Sequence, residues 1–146
     1  MVATRQYYYH ITQKDWRYKK KLKPKSYGSN RGDEEPNDRR ICVSPTIEGC
    51  LLALGCCLGG SRPAYVYRTS SRVIAKKPYN VDDAKITGEM WLIRPTSFEL
   101  FGRIIIRNLP RSLLCTSVGY KDTFNDQRNF KRELLKNRDW FQKIIL

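Results

Sequence analysis

A chain of 146 residues is about one ordinary domain, and 40% hydrophobic with 12% aromatic residues supplies a core that excludes global disorder. Lys and Arg total 28 against 14 Asp and Glu, a formal net charge of +14, and the excess points to a polyanionic partner: a nucleic acid or an acidic protein. The longest apolar run, residues 50–58, is broken by Gly55 and too short to span a membrane, and residues 1–9 lack the apolar stretch of a signal peptide, so the expectation is a cytoplasmic protein without membrane contact.

In chain order, residues 5–12, RQYYYHIT, are rich in β-formers and predict an opening strand. Residues 14–40 are polar and irregular, with a short helix expected in the first part and a long loop around Gly28, Gly32 and Pro36 in the second. Residues 41–43 predict a short apolar strand. Ser44 is placed to N-cap a following helix with Pro45 in its first position, and the nearly all-apolar residues 47–54 predict a buried helix ended by Gly55, Gly59 and Gly60. Residues 64–69, AYVYRT, alternate as a strand, and residues 70–84 predict a loop with Pro78 and Asn80. Strands are expected over 85–94 and 98–107 with a turn at Pro95 and Thr96. Residues 125–141 show helical spacing at Phe130, Leu134 and Phe141. Short strands interleaved with a few helices predict an α+β fold in one domain, residues 1–146.

His10 is the sole histidine. A lone histidine in a strand is more often a structural hydrogen-bonder than a catalyst. Five cysteines occur, at positions 42, 50, 56, 57 and 115. The number is odd and no CxxC pair is present, so reduced thiols are expected and a disulfide framework or a metal site is not. The strand feeding a helix at residues 39–54 presents backbone N–H groups that favour anions, with the hydroxyls of Ser44 and Thr46 at that end; an ordinary cap has the same form. Glu89 is unusual. Period-two alternation puts Glu89, Trp91 and Ile93 on one face of the expected strand, and Glu is depleted in strands. A salt bridge with an arginine, a position at a strand end and a functional carboxylate all fit. Arg17, Lys19, Lys20, Lys21, Lys23 and Lys25 form a basic run with Trp16, Tyr18 and Tyr27 interleaved, suited to neutralising phosphates and stacking on bases, or to a solvated loop. A second set, Arg128, Lys131, Arg132, Lys136, Arg138 and Lys143, predicts a basic C-terminal helix. No Walker A loop, GxGxxG, HExxH or GxSxG occurs.

Three segments in order carry a resemblance. Tyr9-His10-Ile11-Thr12 resembles the opening strand of histidine-type ADP-ribosyltransferases, a family that includes the small rifampicin-modifying enzymes and DNA-targeting toxins. Residues 41–54, ICVSPTIEGCLLAL, resemble the strand and helix of its small members, and Thr87-Gly88-Glu89 resembles the segment bearing its acidic residue. The match covers roughly residues 7–106. It implies a split β-sheet with a few short helices and a C-terminal helix, cradling NAD in a cleft. In that arrangement His10, helped by Thr12, hydrogen-bonds the nicotinamide-side ribose or amide. Ser44 and Thr46 border the nicotinamide pocket, and Tyr65 or Tyr67 stacks on its ring. Glu89 stabilises the positive charge that forms as nicotinamide leaves. The sequence departs from the family at residues 42–44, where some members carry a conserved tyrosine, and at Pro45. The implied function is NAD-dependent ADP-ribosylation of a nucleic acid, protein or small molecule. The alternative is a non-enzymatic nucleic-acid-binding module using the 17–25 run and the C-terminal helix. A nuclease or phosphotransferase built on His10 ranks last, because no second histidine is present for paired acid–base work.

Overall fold

The computed structural model describes residues 4–26, 38–54, 63–81, 83–110 and 123–144. The fold is α+β. Strands β1 (Tyr9–Thr12), β4 (Ala64–Thr69), β6 (Thr96–Ile104) and β2 (Lys19–Leu22) lie in the order β1-β4-β6-β2, and every pairing is antiparallel. β7 (Phe141–Lys143) joins the same sheet beside the last residues of β6, whereas β2 borders its first residues. β3 (Ile41–Val43) and β5 (Met90–Leu92) form a second, two-stranded antiparallel sheet. A backbone bridge joins the two sheets: Tyr9 N donates to Ser44 O at 2.8 Å, and Ser44 N donates back to Tyr9 O at 3.2 Å.

Alternation along the strands sends the two faces of the large sheet to different partners. Ile11, Val66, Ala64 and Ile104 pack with helix α1 (Ile47–Leu54), helix α3 (Thr123–Lys136) and Trp140. Tyr8, Tyr67 and Phe98 pack with Ile41, Val43 and Leu92 of the small sheet. Apolar residues leave no polar stripe on α1, so residues 47–52 are all buried. α3 is amphipathic: Gln127, Phe130 and Leu134, three and four residues apart, are buried, while Arg128, Arg132 and Lys136 face solvent.

Several expectations need correction. The 14–26 segment holds an edge strand rather than a short helix, because Lys19 to Leu22 pair with Thr96 to Glu99. The expected strand over 85–94 is two elements: a single helical turn α2 (Ala84–Thr87), closed by Gly88 at φ +72°, and then β5. Gly88 alone tolerates that left-handed conformation without strain, and it reverses the chain into the strand. β6 ends at Ile104 and gives way to a 3-10 turn over Ile106–Asn108. The C-terminal helix stops at Lys136, so Phe141 and Lys143 belong to β7. The expected strand at 5–12 shortens to Tyr9–Thr12, with Gln6 bridging separately to Val73. The 27–37 loop, the glycines after α1 and Cys56, Cys57 and Cys115 lie outside the described residues. Among the described residues no helix is long and apolar enough to cross a membrane.

Candidate functional site

A cavity of about 360 Å³ opens at the seam between the two sheets. β1 contributes His10 and Ile11, β3 and its following turn contribute Cys42, Val43 and Ser44, α1 contributes Gly49, Cys50, Ala53 and Leu54, the end of α2 adds Thr87, and the link between α2 and β5 adds Glu89. Residues far apart in sequence, His10 and Glu89, thus line one hollow.

His10 is fixed on both sides. Its Nδ1 lies 3.0 Å from Cys42 O; a carbonyl can only accept, so the ring donates from Nδ1 and Nε2 keeps its lone pair. Trp16 stacks on the ring with centroids 5.6 Å apart and planes 17° apart, and Phe98 flanks it at 6.1 Å. Burial holds the His10 pKa below its ordinary value; the bond to Cys42 opposes this and the positive charge of Lys25 adds to it. The imidazole is therefore neutral at pH 7, an acceptor at Nε2 for a hydroxyl or an amide N–H.

Glu89 is buried and its Oε2 accepts from Trp91 Nε1 at 2.8 Å. Thr87 Oγ1 accepts from Glu89 N at 3.1 Å. Two-residue spacing lets the Trp91 indole N–H reach the carboxylate, and the Arg40 guanidinium lies over the Trp91 ring, 4.3 Å from its centroid. The indole bond gives this acid a fixed partner within its own chain segment.

Ser44 has a structural task as well as a place in the wall. Its Oγ donates to Thr87 O at 2.8 Å and accepts from Thr46 N at 3.2 Å, tying the end of α2 to the turn before α1. The helix cap is Thr46 rather than Ser44, because Thr46 Oγ1 accepts from Gly49 N at 3.0 Å. α1 passes so close to this knot that a Cβ on Gly49 would lie 1.9 Å from Thr87 O and 2.3 Å from Ser44 Oγ. Cys50 donates Sγ–H to Tyr9 O at 3.2 Å, and burial pushes its thiol up to about 12, which makes it an unreactive wall rather than a nucleophile.

Other expected site residues lie elsewhere. Thr12 follows His10 in β1 but is not among the cavity-lining residues, and its hydroxyl accepts from Lys14 N at 3.1 Å. Thr46 is exposed at the start of α1. Tyr67 is fully buried, its hydroxyl donating to Arg17 O at 2.8 Å and accepting from Trp16 N at 3.0 Å, so its ring is core and not a stacking platform. Tyr65 packs half-buried against the same core cluster. Arg17, Lys19, Lys20, Lys21, Lys23 and Lys25 are all exposed, on edge strand β2 and its flanks, with Lys19 3.6 Å from Glu99. Trp16, expected to stack on bases, stacks on His10 instead. Glu48 sits in the first turn of α1, where any acid is favourable, yet it is buried and paired with Arg138 at 2.8 Å.

Sequence reasoning missed Arg40 and Thr87 as supports of the site. The sequence shows Arg40 only as half of an Arg39-Arg40 pair, whereas its near-complete burial marks it as structural. Among the described residues no group of three or more His, Cys, Asp or Glu gathers to hold a metal. Comparison of the chain with protein-family models, with curated proteins and with solved structures finds no match.

Proposed function

We propose that this chain is an NAD-dependent ADP-ribosyltransferase with an ADP-ribosyltransferase-like split sheet. The observation that carries the reading is the convergence of a neutral His10 and the oriented Glu89 carboxylate in one cavity between two antiparallel sheets. The cavity, about 360 Å³, suits a nicotinamide ring with its ribose, with the rest of the dinucleotide at the mouth.

The chemistry follows from the charges. The bond between ribose C1′ and the nicotinamide nitrogen breaks, its electron pair leaves with nicotinamide, and positive charge develops on the ribose. A carboxylate pre-aimed by an indole N–H stabilises that charge more in the transition state than in the ground state. His10 Nε2 accepts from a ribose hydroxyl or the carboxamide N–H, and its neutrality avoids repulsion with the forming cation. An acceptor oxygen or nitrogen then bonds to C1′ and loses its proton to Glu89 or to water.

Incubation with NAD labelled in the adenylate half tests this. Release of nicotinamide, with transfer or hydrolysis, is expected from the wild type and absent from Glu89→Gln at unchanged thermal stability. Neither transfer nor hydrolysis across nucleic-acid, protein and small-molecule acceptors contradicts it. The exposed lysines of β2 favour the second reading, a nucleic-acid-binding module; it requires salt-sensitive binding indifferent to Glu89.

A further inference from the structure

Beyond the other end of β5 from Glu89 lies a second hollow, of about 600 Å³, walled by the 70–76 and 92–97 segments and by Arg5. Backbone ladders hold its frame. Gln6 and Val73 exchange bonds of 3.0 and 2.9 Å, Lys76 and Trp91 exchange bonds of 2.8 and 2.9 Å, and Ser70 N donates to Ser97 O at 2.9 Å.

The chemistry of the walls is one-sided. Arg5, Lys76 and Arg94 bring positive charge, and no carboxylate is among the described residues that line the hollow. Ser71 and Ser97 add hydroxyls, whereas the Thr96 hydroxyl donates to Arg94 O at 2.9 Å. Ser70 Oγ is buried and has no hydrogen-bond partner among the described residues, so the wall holds an unused polar group. Ile74 and Ile93, 49% and 58% exposed, offer apolar surface beside these cations. Cations with hydroxyls suit a phosphate, and exposed isoleucines suit the face of a base.

The positive surface continues past the hollow. Lys21 pairs with Ser97 and Leu22 with Thr96, so edge strand β2 runs from the rim and carries the exposed Lys20 and Lys21 outward, ahead of Lys19, which lies 3.6 Å from Glu99. A free nucleotide would leave those lysines without phosphates; a chain of nucleotides would reach them. A base still stacked inside a duplex cannot enter the hollow.

We propose that this hollow and β2 together form a docking track for a single-stranded nucleic acid, with one nucleotide seated among Arg5, Lys76 and Arg94. This deepens the transferase reading by naming the acceptor, and rests on it only for what is done to the strand; the binding stands separately.

Fluorescence anisotropy with a labelled single strand of about 16 nucleotides, without NAD and over a salt series, tests the track. The wild type is expected to bind with an affinity that falls steeply with salt. The double variant Arg5→Ala/Arg94→Ala is expected to bind at least tenfold more weakly and to flatten the log–log salt slope by about 1.4, or about 0.7 for each phosphate no longer neutralised. Ile93→Glu, at an exposed position where folding is not at risk, is expected to weaken binding without removing a cation. Wild-type affinity and slope in both variants overturn the proposal, as does equal binding of the matching duplex. Displacement of the strand by polyglutamate as readily as by unlabelled strand also overturns it. A wild type that cleaves NAD but ignores the strand overturns the track and leaves the transferase reading standing. A wild type that binds the strand in this way without cleaving NAD supports the track and removes that reading.

Discussion

The Trp91 indole donates to Glu89 Oε2 at 2.8 Å, and this bond holds that oxygen of the acid in place. Hydrogen bonds to a charged group contribute about 1.5–3 kcal/mol, so losing one that orients a carboxylate is felt in the chemical step. Trp91→Phe keeps a ring against Arg40 but removes the donor. It is expected to lower kcat for NAD cleavage at least about tenfold, since about 1.4 kcal/mol is a factor of ten, with NAD affinity little changed. Steady-state kinetics beside a binding titration separate the two; an unchanged kcat contradicts the orienting role.

His10 gives the protein a pH dependence with a definite sign. Its pKa in the folded state lies below the ordinary value of 6.5 because the ring is buried. As pH falls below 6.5 the unfolded chain takes up a proton before the folded one does, so stability declines from there toward the native pKa and is unaffected by this group above it. Thermal unfolding between about pH 8 and pH 5 is expected to show an acid-side loss in the wild type that His10→Asn lacks. Parallel curves for the two proteins contradict the assignment. Because Lys25 adds to the depression, Lys25→Gln is expected to raise the His10 pKa, read from the single histidine ring by NMR titration.

Gly49 marks the closest approach in the site wall. Gly49→Ala puts a methyl group where Thr87 O and Ser44 Oγ already are, 1.9 and 2.3 Å from the new carbon, so α1 or α2 must shift. A loss of about 1–3 kcal/mol in urea unfolding is expected. A smaller change, or a gain from the better helix former, contradicts the packing described at this knot.

Arg138 pairs with a buried carboxylate while itself remaining half exposed, with 52% side-chain exposure against 7% for Glu48. Arg138→Met strands the charge of Glu48 and is expected to cost about 1–3 kcal/mol. The double variant with Glu48→Gln is expected to recover part of that loss, because no charge then remains to be compensated. Additive losses in the double-mutant cycle contradict the pairing.

The elements legible in the sequence are those whose signal is local. Alternation in AYVYRT marks β4 to the residue, and the nearly all-apolar run 47–54, broken only by Glu48, marks a buried helix. The segment 85–94 misleads because its apolar content reads as one strand, whereas Gly88 turns the chain midway. β2 is hidden because three successive lysines have no apolar alternation; an edge strand against β6 needs none. In the site, His10 and Glu89 are legible from residue type and order, and they do share a cavity. Trp16 misleads because an aromatic beside a polar run looks like a stacking surface until the opposing face is known, and Tyr67, given a stacking role only by the resemblance, is core because its hydroxyl is tied to the backbone of Trp16 and Arg17. Arg40 is illegible, since its partner Trp91 lies in another strand, and only the pairing of β3 with β5 brings the two together.

The most direct measurement follows the unique histidine and one indole by NMR during NAD titration. The His10 ring-nitrogen and Trp91 indole N–H signals are expected to shift together with one apparent Kd. If both stay fixed at NAD concentrations of about 1 mM, the upper end of ordinary enzyme–substrate ranges, the cavity between His10 and Glu89 is not an NAD site.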